Sequence, residues 1–313
     1  MDNDITSRAL LVALSINGIP GMEIEDKEIG REVARDHAVS ETAGRYLKKL
    51  LDPKKISELR ELNSAVSDLR QFFYANTMPW SERGWGAVTT AHYFEFTKGI
   101  SARTTAVDTA FDKLMLRFPD LEQQAKVELN GMWKQDEWPD VEKLRRRYKV
   151  RVKVRPLVDA TAVKVMLGVP EEIEKIKTQV QSDLYANLTG TLLDLFGRLR
   201  TFLTGDDNTR GLISKLQEHE LDAKGKQVGK SFRDSAILPL RALCEIVDKL
   251  NVMGDPTLTA LNQEIRDSIA NRDPQALRDN TVLRTETLTK AQELAKKLAG
   301  VESILGNVIE RAA

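Results

Sequence analysis

The sequence predicts a mainly α protein, with a long helical hairpin and coiled-coil-like helices. A small antiparallel β-sheet is the minor β component. Three observations predict this. Ile56, Leu59, Leu62, Val66, Leu69 and Phe73 recur every three or four residues, which lays one apolar stripe along a helix. Ile173, Ile176, Val180, Leu184, Leu188, Leu192, Leu195, Leu199 and Phe202 keep that spacing in a second stretch, a coiled-coil-like seam. Tyr148, Val150, Val152 and Val154 instead alternate with Lys149, Arg151, Lys153 and Arg155, the period of a half-buried strand.

Four segments follow in chain order. Residues 1–52 open with Leu10, Val12, Leu14 and Ile16 on one parity, a strand ended by "NGIPG". The polar, acidic "EIEDKEIGREVARD" comes next, with Val33 as its apolar anchor, and the segment packs on the small sheet. Residues 53–140 form the helical hairpin, with "TMPWSERGWG" at its tip. Helical spacing resumes from about Ala87 to Phe118, and Pro119 starts a further helix reaching Trp133. Residues 141–168 form a basic β-hairpin, with Val163, Val165 and Leu167 on its second arm. Residues 169–313 form a C-terminal helical bundle. Pro170 opens its long helix, with Glu171 and Glu172 suited to the first turn. Residues 204–230, holding glycines 205, 211, 225 and 229, read as a weak helix between flexible ends. Helices restart at Ser231, Asp255-Pro256 and Asp273-Pro274, and the last carries Leu294, Leu298, Val301, Leu305 and Val308.

Composition narrows the function classes. The chain has 313 residues, 41% apolar and 30% charged, the balance of a folded soluble protein. Lys plus Arg equals Asp plus Glu at 47 each, so net charge selects no partner. The longest apolar run, Ala9 to Leu14, falls far short of the roughly 20 residues of a membrane span. Asp2 and Asp4 stand where a secretory signal would be basic, so a cytoplasmic location is expected. The single cysteine, Cys244, excludes an internal disulfide and a multi-cysteine zinc site.

Candidate chemistry is sparse. "GKQVGKS", Gly225 to Ser231, has three residues between its glycines where a phosphate loop needs four, and a polar segment precedes it in place of a buried strand. His37, His92 and His219 are far apart, and His92 with Glu95 is only a lone pair. Cys244 lies among Leu243, Ile246 and Val247, as a buried thiol does. No nucleophile-elbow motif appears. The expectation is a protein with no catalytic residue, metal ligand or cofactor, and so no enzyme.

Binding features are richer. Lys143 to Arg155 reads "KLRRRYKVRVKVR", without an acidic residue. Arg145, Arg146 and Arg147 end a helix, where cations suit the dipole. Lys149, Arg151, Lys153 and Arg155 line one strand face and repel one another unless an anion lies against them. Three sources of that anion stay open: an acidic helix of this chain such as "EIEDKE", a partner's acidic surface, or a phosphate backbone. Of the four tryptophans, Trp133 and Trp138 read as core wedges. Trp80 and Trp85, with Met78 and Arg83, form either a partner-binding tip or a wedge that closes the loop.

"TMPW" (Thr77 to Trp80), Gly84 and "YFEF" (Tyr93 to Phe96) resemble a bacterial and phage family of unknown activity. Its pattern runs Thr-Leu-Pro-Trp, a glycine, then a Tyr-containing helix. "ARDHA" (Ala34 to Ala38), Gly44-Arg45-Tyr46 and "SFRDS" (Ser231 to Ser235) resemble it in the same order, so the likeness spans most of the chain; Met78 replaces the commoner leucine. The resemblance implies a mobile genetic element and a neighbouring MoxR-type or cobalt-chelatase-like AAA+ ATPase and von Willebrand A-type protein. It assigns no functional residue. The function expected is a non-enzymatic helical scaffold or adaptor working with such an ATPase complex. The alternative is a nucleic-acid-binding accessory factor using Arg145, Arg146, Arg147, Lys149, Arg151, Lys153 and Arg155. The two long apolar stripes also raise a homo-oligomer.

Overall fold

A computed structural model describes residues 5–18, 23–158, 170–218 and 232–312. The protein is mainly helical with a minor antiparallel β component. Its elements in order are α1 (Ile5–Arg8), β1 (Ala9–Asn17), β2 (Glu23–Glu25), α2 (Lys27–Asp36), β3 (Leu47–Lys49), α3 (Ser57–Ala75), β4 (Met78–Pro79), β5 (Trp85–Thr89), α4 (Thr90–Leu129), α5 (Val141–Arg147) and β6 (Lys149–Pro156). They continue with α6 (Pro170–Thr204), α7 (Leu212–Gln217), α8 (Leu238–Leu250), α9 (Pro256–Ile265), α10 (Pro274–Asp279) and α11 (Thr281–Ala312). A π-helical turn, Arg266–Ala270, follows α9. One sheet has the order β4-β5-β1-β6, and β2 pairs β3 in a sheet of its own.

The chain divides into two compact units. One comprises residues 1–13, 74–96 and 154–313, the other residues 14–73 and 97–153.

In the first unit, β1 is a central strand. Leu11 pairs Ala87 and Val12 pairs Gly86 antiparallel, and both Leu11 and Val12 are buried. A strand covered on both faces loses the simple inside–outside alternation that the parity of Leu10, Val12, Leu14 and Ile16 predicts. Leu11, Met78 and Ala87 join one core with Leu188, Leu195 and Leu199 of α6 and with residues of α7–α11. The seam of α6 is thus used inside the chain: α6 packs along α11, whose Leu294 and Leu298 are fully buried. Asp255 and Asp273 cap α9 and α10, accepting from Leu258 N–H and Ala276 N–H, as Asp before Pro predicts. The expected flexible stretch after α6 is a tight loop as far as Gly211. Gly205 has φ +83° and packs so closely on Thr209 and Gly211 that no side chain fits. Gly225 and Gly229 lie outside the described residues.

In the second unit, α3 and α4 run antiparallel. Glu58 pairs Arg117 and Glu61 pairs Lys113, while Asp68 pairs Arg103 further along. Gly99 sits where any side chain would meet the Phe72 ring. Leu59, Leu62, Val66, Leu69 and Phe73 of α3 and Val107, Phe111, Leu114 and Phe118 of α4 are all buried. Two expectations are corrected here. Pro119 lies inside α4 and starts no new helix. It removes one backbone bond, but Phe118 and Leu121 on either side are buried, and that packing holds the helix through. In α2 the anchor is buried Ala34; Val33 is 45% exposed.

The end of α4 is tied to β3 by a buried cation. Lys48 has 1% of its side chain exposed. Its Nζ donates to Met132 O at 2.8 Å and pairs Asp26 at 3.3 Å and Glu137. Burial alone would lower its pKa; hydrogen bonds to Glu137 and Asp26 outweigh this and raise it. Asp26 also caps α2, accepting from Glu28 N–H and Ile29 N–H. The Ile29 N–H is the main cause of its lowered pKa, against the opposing effect of burial and with help from Lys48. Trp138 closes the layer, with its ring 5.1 Å from Phe118 and 5.4 Å from Trp133. Trp138 is buried as a core wedge is expected to be, whereas Trp133 beside it is only half-buried.

Lys48→Met leaves two carboxylates without their cation. Unfolding by urea is expected to show a loss of about 3–5 kcal/mol, the cost of breaking a buried ion pair from one side. Adding Asp26→Asn and Glu137→Gln to that variant should recover part of it.

Candidate functional site

The "TMPWSERGWG" stretch is a β-hairpin rather than the bare tip of two helices. Met78 pairs Ala87, and Pro79 pairs Gly86. Thr77 and Met78 press against Gly86 so closely that a side chain there would displace them. Met78 is fully buried in the first unit's core and so has no surface to offer a partner. Trp80 and Trp85 are half-buried against the same core. Arg83 is exposed at the turn.

Trp85 is covered by the last cation of the basic strand. The Arg155 guanidinium lies 4.2 Å from the Trp85 ring centroid, a cation–π contact. Its Nη2 also pairs Glu82 Oε1 at 2.5 Å. Ser81 N–H donates to Asn187 Oδ1 of α6 at 3.0 Å, which pins the turn to the core. The wedge role of these tryptophans and the internal pairing of Arg155 are therefore one arrangement.

The other cations fall in the second unit. Arg145, Arg146 and Arg147 occupy the last turn of α5, and Arg145 pairs Asp112 at 3.2 Å. Lys149, Arg151 and Lys153 are exposed, while Val150 and Val152 between them are half-buried. The side chains of these three, and of Arg146 and Arg147, make no ion pair or hydrogen bond with a described residue. The acidic "EIEDKE" is engaged elsewhere, with Asp26 on Lys48 and Glu28 on Lys134. β6 is held by its start. Tyr148 stacks on Phe111 at 3.8 Å and donates its OH to Asp108 at 2.6 Å. Burial, then Asp108, raises its pKa. The Tyr148 backbone passes so close to Gly18 (φ +78°) that no side chain fits there. The predicted second arm, Val163, Val165 and Leu167, lies outside the described residues, as do His219 and "GKQVGKS".

The remaining chemical candidates have structural partners. His92 Nε2 meets Asn76 Oδ1 at 2.9 Å, and Nδ1 lies 3.4 Å from Glu95, which pairs Lys249 at 2.6 Å. Burial, then the Lys249 charge, lowers the His92 pKa against Glu95. Cys244 is fully buried, and burial pushes its thiol up to about 12, the setting of an inert thiol. Among the described residues no group of three or more His, Cys, Asp or Glu stands where it could hold a metal ion, and no helix is long and apolar enough to cross a membrane. No protein-family model, curated protein or solved structure matches the chain.

Met78→Ala is expected to destabilise by about 2–5 kcal/mol, the range for truncating a buried methionine. Trp85→Ala should cost less than the about 3–5 kcal/mol of a fully buried tryptophan. Thermal denaturation checks both.

The lowered His92 pKa gives a pH dependence with a definite sign. The unfolded chain takes up the proton first, so stability is full above about pH 6.5 and falls as the pH drops below it, toward the folded value. His92→Gln should flatten that acidic arm in denaturant titrations across pH.

Proposed function

We propose that this protein is a non-catalytic binding protein whose strand β6 lies along a phosphate backbone, that of a nucleic acid. One observation carries the reading. Lys149, Arg151 and Lys153 share an exposed strand face with no carboxylate of the described residues against them. Same-face neighbours on a strand are about 6.7 Å apart, and like charges so placed repel unless an anion lies between them. A polyanion with evenly spaced charges fits such a row. Arg146 and Arg147, exposed on the preceding turn of α5, lengthen it. Arg145 and Arg155, each paired internally, are left out of the contact set. Tyr148 is engaged with Phe111 and Asp108, so the row offers charge without a base-stacking ring. It supports backbone contact with little sequence preference.

A second reading rests on a different observation. Phe94, within the "YFEF" that carries the family resemblance, is 82% exposed, and Tyr74 is 63% exposed. Exposed aromatics suit a protein partner, and the resemblance points to an AAA+ ATPase or a von Willebrand A-type protein. In that reading the chain is a helical adaptor.

Fluorescence anisotropy with labelled DNA and RNA separates the two. With phosphate contacts from Arg146, Arg147, Lys149, Arg151 and Lys153, the log–log slope of affinity on salt is expected near −4.5 for duplex DNA and about −3.5 for single strands. Arg151→Glu with Lys153→Glu should abolish binding and leave the melting temperature in place, since both side chains are exposed. A wild type that shows no binding to either probe at low salt removes the nucleic-acid reading and leaves the adaptor.

A further inference from the structure

A second group of cations lies in the first unit, in a cleft between α7, the loop before it and the segment leading to α8. The cleft encloses about 330 Å³ and is lined by Arg210, Lys215, Glu218, Phe232, Arg233 and Ser235 among others. A wider opening of about 640 Å³ shares Arg210 and Lys215 and adds Arg198, Thr201 and Thr209. The walls of the cleft rest on the core of the unit. Leu212 and Leu216 of α7 are in the core, as are Phe232 and Ala236.

The loop that presents Arg210 is fixed by its own bonds. Asp206 accepts from Asn208 N–H, Thr209 N–H and Thr209 Oγ1, and Gly205 pairs Arg210 in an isolated bridge. Glu218 forms an ion pair with Arg210, and Asp194 pairs Arg198 at 2.7 Å. These acids account for two of the four cations. Lys215, half-buried, and Arg233, exposed, have no ion-pair partner among the described residues. Two cations with no acid partner among the described residues therefore line one concavity beside the exposed Ser235. Concave walls of low dielectric focus such a field and concentrate counter-ions. An arginine with a lysine is a donor set suited to phosphate oxygens, the arginine through its fork and the lysine as a point charge. The volume falls at the small end of ligand sites.

We infer that this cleft binds a phosphate group, free or carried on a small organic molecule, through Lys215, Arg233 and the Ser235 hydroxyl. The site is distinct in residues and in unit from Lys149, Arg151 and Lys153.

Isothermal titration calorimetry of the full chain with inorganic pyrophosphate tests this. Saturable binding with one site per chain is expected. Lys215→Gln and Arg233→Gln should each weaken it about tenfold or more, Ser235→Ala less, and Lys215→Arg should retain it. Repeating the titration with ADP separates the two sources. Equal affinity assigns the site to the anion alone, and tighter ADP binding assigns the adjoining opening to the organic portion. The inference is overturned if the wild type shows no binding at about 1 mM ligand. It is also overturned if the two charge-removing variants bind as the wild type does. Should Lys215→Gln fail to fold, Arg233→Gln decides alone, because that side chain is exposed. The probe needs no contact with β6, so the outcome is independent of the nucleic-acid reading.

Discussion

The cost of taking charge out of water decides much of this structure. Lys48 shows it most directly. An ammonium in a protein interior is tolerated only when oxygen atoms replace its hydration shell. Asp26, Glu137 and Met132 O supply them, and each is fixed by something else. Asp26 is committed to the N-terminus of α2. Met132 and Glu137 sit in the turns that end α4, beside the Trp133–Trp138 pair. One lysine therefore ties β3, α2 and the end of α4 into the second unit. The first unit obeys the same constraint with Arg284, buried at 5% exposure, whose Nη1 donates to Leu277 O and Arg278 O. Arg241 does likewise across the π-helical turn, donating to Ala270 O and Arg272 O. Carbonyls left over at helix ends become the solvent for these cations.

Apolar packing fills in around those polar ties. The stripe of α6 is absorbed by α11 and by the helices between them, so its length is no measure of an intermolecular seam. The Trp85 hairpin shows how little of a turn is decided by its Pro and Gly. Met78 enters the core, Asn187 pins Ser81, and Arg155 lies over the indole. The tryptophans supply apolar area at a place where two short strands alone would be marginal.

What could be read from the sequence divides along the range of the forces involved. Helix α3, the β6 alternation and the Asp-Pro caps of α9 and α10 are local patterns, and they appear where the residues put them. The hairpin β4–β5 was hidden because strands of two and five residues carry too little periodicity to stand out beside a Pro and two Gly. Its pairing with β1 is decided more than 70 residues upstream. Pro119 misled because its local penalty is offset by the burial of Phe118 and Leu121 on either side of it. Lys48 gave no signal at all, since its partners lie 22 and 84 residues away. Of the candidate site, the exposed row Lys149, Arg151 and Lys153 was legible, being strand periodicity again. Which cations were already spent, Arg145 on Asp112 and Arg155 on Glu82 and Trp85, was not, because both pairings are tertiary. Nor was the cleft around Lys215, which depends on how α7, legible only as a weak helix, packs beside the segment leading to α8.

Seen through the cost of charge, the cations without a partner among the described residues carry the proposal of nucleic-acid binding. Where this chain buries a cation or half-buries one against an aromatic ring, it supplies a carboxylate or a carbonyl. From α5 into β6 the ion pairing among the described residues stops after Arg145 and resumes only at Arg155. A bland explanation exists: β6 is terminal in its sheet order, and lysines on such a strand discourage edge-to-edge aggregation. One or two charges serve that purpose. Three on a single face, preceded by Arg146 and Arg147 and with no acid interleaved, exceed it and accept mutual repulsion that alternating Lys and Glu would avoid. An arrangement that is unfavourable in the isolated chain and relieved by a polyanion is what a backbone-binding surface requires. Salt dependence, which aggregation control does not predict, is therefore the property that separates the two explanations.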